Sequence, residues 1–148
     1  MSETVDTAMN QANEAQIAEH LRRCDADFVP PLTDRIELGS YARKLASKAE
    51  RFEAWAGDAL VGMVAIYCND TERHTAFISS VSVLRNWQGQ RIASRLLDDA
   101  IEHARAVGFE RLELEVDRAN ANAIQLYEKT NFIAGPVHGR SMTMHLDI

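Results

Sequence analysis

The chain has 148 residues, 46% of them hydrophobic and 26% charged, which fits one globular domain spanning residues 1–148 with one real core. Twenty-two acidic residues against 16 basic ones give a formal charge of −6; this argues against a nucleic-acid partner and is compatible with a cationic amine. No apolar run approaches the roughly 20 residues needed to span a bilayer, so no membrane partner is expected.

The start, MSETVDTAMNQANEAQ, is polar and lacks the basic and apolar regions of a signal peptide. Residues 1–12 are expected to be flexible. Glu14 to Cys24 carries Ile17, Ala18 and Leu21 at helical spacing and predicts a first helix. Pro30 and Pro31 end any helix there. Ser40 is placed to cap a second helix through about Ala49, with Tyr41, Leu45 and Ala49 on one face. From Arg51 the period changes to alternation. Gly57-Asp58 reads as a hairpin turn and Leu60–Tyr67 as a mostly apolar strand in the middle of a sheet. A polar loop over Asn69–His74 and a strand over Thr75–Leu84 follow.

The clearest element is a helix from about Gln90 to Val107, with Ile92, Leu96, Leu97, Ala100, Ile101, Ala104 and Val107 in one stripe. Leu112, Leu114 and Val116 then alternate with Glu113, Glu115 and Asp117 in a strand with one apolar and one acidic face. Asn122 and Gln125 have capping-box spacing for a short helix to about Lys129. Asn131 suits the left-handed conformation after it. MTMHLDI reads as a final strand, paired across a turn at Val137–Ser141. These elements make a mixed α/β domain without repeats or low-complexity linkers.

Cys24 and Cys68 lie far apart and read as free thiols of a cytoplasmic protein. No Cys or His pair has zinc spacing. His20, His74, His103, His138 and His145 read as surface or strand residues, and no metal is expected.

Two segments carry chemistry. VSVLRNWQGQRIAS, Val81–Ser94, reads as strand, turn and helix start. The free N–H groups and positive dipole end of a helix N-terminus suit an anion, phosphate above all, and Gly89 permits the tight turn. The segment resembles the acetyl-CoA loop of the GCN5-related N-acetyltransferase (GNAT) superfamily, Gln/Arg-x-x-Gly-x-Gly/Ala. Gln88 fits the first position and Ala93 the last, whereas Arg91 stands in place of the first glycine. LEVDRANANAIQLYEKTNF, Leu114–Phe132, resembles a later part of the same fold. Asn120, Ala123, Leu126, Tyr127 and Phe132 stand at family spacing, with Asn131 in place of a glycine.

The resemblance covers the chain from about Arg51 and implies a mixed, mostly antiparallel sheet flanked by helices. That fold has a short strand before the first helix. No such strand is evident here, and at best a few polar N-terminal residues could serve. Acetyl-CoA is the implied co-substrate. The backbone of Val81, Ser82 and Val83 would hold the pantetheine arm, and one of its N–H groups would stabilise the oxyanion. Gly89, Gln90, Arg91, Ile92, Ala93 and Ser94, after Gln88, would hold the pyrophosphate. Asn120 would bond the pantetheine region.

Arg91 either blocks the close approach that glycine allows or, with helical φ/ψ, turns its Cβ away and offers its guanidinium to a phosphate. Tyr127 is the implied general acid, or else an amphipathic-helix tyrosine packed on the sheet. The run LEV…Asn…Tyr resembles acetyltransferases that modify ribosomal-protein N-termini, which implies Glu115 as base; it is otherwise a solvated carboxylate beside Glu113 and Asp117. Phe28, Pro31 and Tyr41, with Tyr67 and Asn69, fall where substrate contacts are expected.

Neither motif holds a cysteine, which favours direct transfer through a ternary complex. The acceptor is a primary amine, either a peptide N-terminus or a small molecule such as a polyamine, amino sugar or aminoglycoside. A non-catalytic acyl-CoA-binding module is the rival from another class. By analogy a homodimer is open.

Overall fold

The computed structural model describes residues 4–148. The expectation of a flexible start lies, for residues 1–3, outside the described residues. In chain order the elements are β1 (Asp6–Met9), α1 (Glu14–Cys24), α2 (Leu38–Lys48), β2 (Glu50–Ala56), β3 (Ala59–Asp70), β4 (Thr75–Val83), α3 (Ile92–Ala106), β5 (Arg111–Asp117), α4 (Ala121–Lys129), β6 (Ile133–His138) and β7 (Ser141–Asp147). The seven strands form one sheet in the order β1-β2-β3-β4-β5-β7-β6. All neighbours are antiparallel except the parallel pair β4–β5.

Residues 6–9 form an edge strand instead of a flexible tail. Their side chains show no strand pattern, and the strand exists through pairing with β2, from Asp6↔Trp55 to Met9↔Phe52. The link to α1 is tied down from below. Glu53 is fully buried, and its carboxylate accepts the N–H groups of Gln11 and Ala12 and the indole N–H of Trp55. Arg51 pairs with Glu53 and donates to the carbonyls of Leu45, Ala46 and Ala49, so it also closes the C-terminal end of α2. A second guanidinium nitrogen reaches the carbonyl of Ala12.

Helix α1 starts at Asn13, which exchanges bonds with Gln16 in a capping box. Helix α2 is capped by Glu37, not Ser40. The helix has already begun at Leu38, so Ser40 supplies an orphan N–H of the first turn and the Glu37 carboxylate accepts it. Ile17, Leu21, Ala42 and Leu45 press these helices onto Met63 and Ala65 on one face of the sheet. Helix α3 covers the other face with Ile92, Leu96, Leu97, Ala100, Ile101 and Ala104. Val107, expected in that stripe, is 54% exposed because the helix ends before it.

The two-residue turn Gly57-Asp58 joins β2 to β3 as the alternation predicts. Strand β3 runs on to Asp70, so Asn69 is a strand residue rather than part of a loop. Helix α4 is capped by Asn120 and not Asn122: the Asn120 side-chain oxygen accepts the N–H of Ala123 at 3.2 Å. Asn131 is left-handed, at φ 74°.

One irregularity makes room for a site. The β3–β4 register shifts between Ala65 and Ile66, where Ser79 is passed over. Such a bulge bends the strand that carries it. Strand β4 pairs with β5 only from Thr75 to Ile78. Beyond that the two part, and among the described residues Ser79–Val83 has no partner strand on its β5 side.

Candidate active site

A cavity of about 520 Å³ occupies the gap where β4 leaves β5. Val81, Ser82 and Val83 of β4 form its floor. Asn120, Asn122, Ala123, Leu126 and Tyr127, at the start of α4 and along it, form one wall. The loop from Trp87 into α3 forms the other. Cys24 at the end of α1, with Asp27, Phe28 and Val29 just after it, covers it.

The loop turns sharply at Gly89, φ 82°, and again at Arg91, φ 63° and ψ 21°. Arg91 is thus left-handed rather than helical. This is the conformation that costs a residue with a Cβ and that glycine takes freely. The exposed guanidinium forms no ion pair among the described residues. Arg91 is the N-cap of α3 but supplies no capping bond. The first i→i−4 bond runs from the Arg95 N–H to the Arg91 carbonyl, so the N–H groups of Ile92, Ala93 and Ser94 have no helical acceptor. All three residues line the cavity. Together with the helix dipole they suit an anionic phosphate.

Tyr127 is 8% exposed and stacks obliquely on Phe132 at 5.9 Å. Its hydroxyl has no hydrogen-bond partner among the described residues, and burial pushes its pKa up to about 12. The phenol therefore stays protonated at neutral pH. Asn120 spends its side-chain oxygen on the helix cap, which leaves its amide N–H groups for a ligand. Gln88 donates to the Val83 carbonyl at 3.1 Å, on the open edge of β4. Asp27 is held by Arg85 in an ion pair.

Of the residues singled out in the sequence, the cavity gathers Val81, Ser82, Val83, Gln88, Gly89, Arg91, Ile92, Ala93, Ser94, Asn120, Tyr127 and Phe28. Gln90, Glu115 and Asn69 are exposed and outside its lining, and half-buried Tyr67 is outside it too. Glu115 is exposed on the face of β5 opposite buried Leu114 and Val116. Tyr67 has a buried hydroxyl without a partner among the described residues. Tyr41 bonds Ser79, the residue passed over by the bulge.

The lining also includes Ala123 and Leu126, which stand at family spacing in the second motif, and Cys24, Asp27, Val29, Trp87 and Asn122, to which the motifs gave no role. Burial, then the Asp27 charge, pushes the Cys24 thiol up to about 12, so a cysteine at this cavity is not a thiolate nucleophile. His20, read as a surface or strand residue, is 2% exposed inside α1. Its signal, helical spacing with Ile17, Leu21 and Cys24, was present in the sequence. Among the described residues no three His, Cys, Asp or Glu side chains are grouped to hold a metal ion. No helix there is long and apolar enough to cross a membrane.

The sequence model of the acetyltransferase (GNAT) family matches residues 14–132. The chain belongs to the GNAT acetyltransferase family. Its curated relative, the uncharacterized N-acetyltransferase YvbK of Bacillus subtilis strain 168, is 29% identical over 85 residues, 57% of this chain. The match spans about half of that relative's length, 54%.

Solved GNAT structures share the fold. The PaiA N-acetyltransferase of Thermoplasma acidophilum, solved in complex with coenzyme A, superimposes with a TM-score of 0.76 at 16% identity over 100% of both chains. The ribosomal-protein-S18-alanine N-acetyltransferase of Escherichia coli gives 0.76 at 20% identity, over 99% of this chain and 94% of that one. The mixed, mostly antiparallel sheet flanked by helices is thus the GNAT architecture, and β1 is the short first strand that the polar N-terminus concealed.

Proposed function

We propose that the protein transfers an acetyl group from acetyl-CoA directly to a primary amine within a ternary complex, and that the amine is a peptide or protein N-terminus. The observation that carries this reading is the meeting, in one cavity, of the three free N–H groups at the start of α3 with Tyr127, a buried residue whose hydroxyl is unpaired among the described residues. The first set suits the phosphates of a CoA thioester. The second suits protonation of a departing thiolate, since a phenol carries its proton at neutral pH and this one has no other partner among the described residues.

The remaining roles are part of the same reading. Val81–Val83 present an edge without a partner strand to the pantetheine arm, and one of their backbone N–H groups serves the oxyanion. Arg91 adds a cation to the phosphate loop, and the Asn120 amide N–H groups serve the pantetheine region. Glu115 takes the amine proton through water from its exposed position on β5. The protonated state of Cys24 supports transfer without an acetyl-enzyme.

A closed acidic pocket would favour a small polyamine or amino sugar. The acid lining this cavity is Asp27, and Arg85 neutralises it. That favours a peptide acceptor. Initial rates with acetyl-CoA and a short peptide bearing a free N-terminal alanine test the reading. Intersecting double-reciprocal lines and release of one CoA per acetylated peptide are expected. Parallel lines, or acetylated protein without amine, would overturn direct transfer.

A further inference from the structure

His20 and Ser82 form a pair for which the acetyl-transfer chemistry above has no use. His20 comes from α1 and Ser82 from the cavity floor on β4. The Ser82 Oγ lies 2.8 Å from His20 Nε2, and His20 Nδ1 lies 3.0 Å from the carbonyl oxygen of Leu60. Both side chains are buried, at 2% and 8% exposure.

The directions of these bonds follow from the partners. A backbone carbonyl only accepts, so Nδ1 carries the ring proton. In a neutral imidazole Nε2 is then the acceptor, and the Ser82 hydroxyl must donate to it. Burial lowers the His20 pKa to about 4, with Arg23 adding to the effect and the Leu60 bond opposing it. The ring is therefore neutral at pH 7 and does not donate to Ser82. The Cys24 sulfur, 3.7 Å from Nε2, closes the ring off beside the cavity.

We propose that His20 is a positioning residue that holds the Ser82 hydroxyl proton away from the cavity, so that Ser82 presents only lone pairs to an N–H donor bound there. The proposal rests on the acetyl-transfer reading, which supplies two such donors: a pantetheine amide of CoA and the attacking amine. A proton-relay role for His20 fits poorly. Taking a proton from an ammonium of pKa ~8–10 onto a ring of pKa about 4 is uphill by roughly four to six pK units.

Calorimetry with CoA alone, and steady-state kinetics with acetyl-CoA and the N-terminal-alanine peptide, compare wild type with Ser82→Ala, His20→Leu and His20→Gln. Ser82→Ala and His20→Leu are expected to weaken one ligand by about five- to tenfold, the worth of one hydrogen bond. A weaker CoA Kd identifies the pantetheine amide; an unchanged CoA Kd with a raised peptide KM identifies the amine. His20→Gln retains an acceptor for Ser82 and is expected to recover most of the loss.

Unchanged Kd and KM in Ser82→Ala would overturn the proposal. So would a kcat lost as fully in His20→Gln as in His20→Leu, because that marks proton transfer. An acetyl group found on Ser82 would also overturn it. Absence of CoA binding by the wild type would overturn the acetyl-transfer reading itself, and this proposal with it. Nitrogen NMR of His20 decides the matter even if the variants fail to fold. A neutral ring protonated on Nδ1 at pH 7 is expected; a proton on Nε2 would contradict the assignment.

Discussion

Gly62 on β3 and Ile92 at the start of α3 are packed so closely that a Cβ built on Gly62 would lie 2.8 Å from Ile92 Cγ2. Ile92 also lines the cavity, and its N–H has no helical acceptor. The seat of the loop leading into α3 is therefore set from inside the sheet, by the absence of a side chain. Gly62→Ala is expected to cost ~1–3 kcal/mol by overpacking and to shift the first turn of α3. A fall in Tm accompanied by a weaker CoA Kd in calorimetry would show it. Loss of Tm with unchanged affinity would mean that the loop adjusts independently of its seat.

Arg91 carries two opposed effects. Its left-handed backbone costs ~1–2 kcal/mol, part of which Arg91→Gly would recover against the larger chain entropy of glycine, leaving a net gain of ~0–1 kcal/mol. The same change removes a cation from the loop proposed to hold the CoA phosphates. Arg91→Gly is thus expected to hold or raise the Tm of the free protein while weakening CoA up to about tenfold, less so at high salt. Tighter binding by Arg91→Gly would mean that the side chain obstructs the loop.

Stability is expected to depend on pH through His20. The folded pKa is about 4 against an ordinary 6.5. Between those values the unfolded chain binds a proton that the folded chain does not, so stability is full above about pH 6.5 and falls as pH drops toward 4. The difference is on the order of 3 kcal/mol. Urea titrations at pH 7 and pH 4.5, compared between wild type and His20→Gln, isolate this contribution from that of the carboxylates. An identical pH slope in the two proteins would remove His20 from the explanation.

The fully buried Glu53 is expected to be among the most sensitive polar positions. Glu53→Ala leaves the N–H groups of Gln11 and Ala12 and the Arg51 guanidinium without their carboxylate, a loss of ~3–5 kcal/mol in chemical denaturation. Glu102→Ala, which breaks only the exposed pair with Arg105, is expected to stay near wild type.

The parts of the fold readable from the sequence are those in which one chain segment carries its own signal. Helix α3 shows its stripe, β5 its alternation, and Gly57-Asp58 its turn. Strand β1 carries no such signal, because β2 and the Glu53 carboxylate make it a strand from outside. The expected caps lie inside the helices: α2 is capped three residues earlier, by Glu37 instead of Ser40, and α4 two residues earlier, by Asn120 instead of Asn122. In both, the residue nearer the periodic run supplies the orphan N–H or follows it, while the true cap stands just before it.

At the site, the loop and α4 residues were readable through the GNAT motifs. The cover was not. Cys24, Asp27 and Val29 reach the cavity only because α1 crosses the opposite face of the sheet, and His20 meets Ser82 across 62 positions of chain. No local pattern records that meeting.

The most direct measurement is acetyl transfer by Tyr127→Phe, with CoA affinity measured on the same protein. Phenylalanine keeps the packing on Phe132 and removes only the unpaired hydroxyl. A fall in kcat of about 10²–10⁴-fold with an unchanged CoA Kd is expected if that hydroxyl is the general acid. Wild-type turnover by Tyr127→Phe would contradict the assignment and leave Tyr127 as a packing residue of α4.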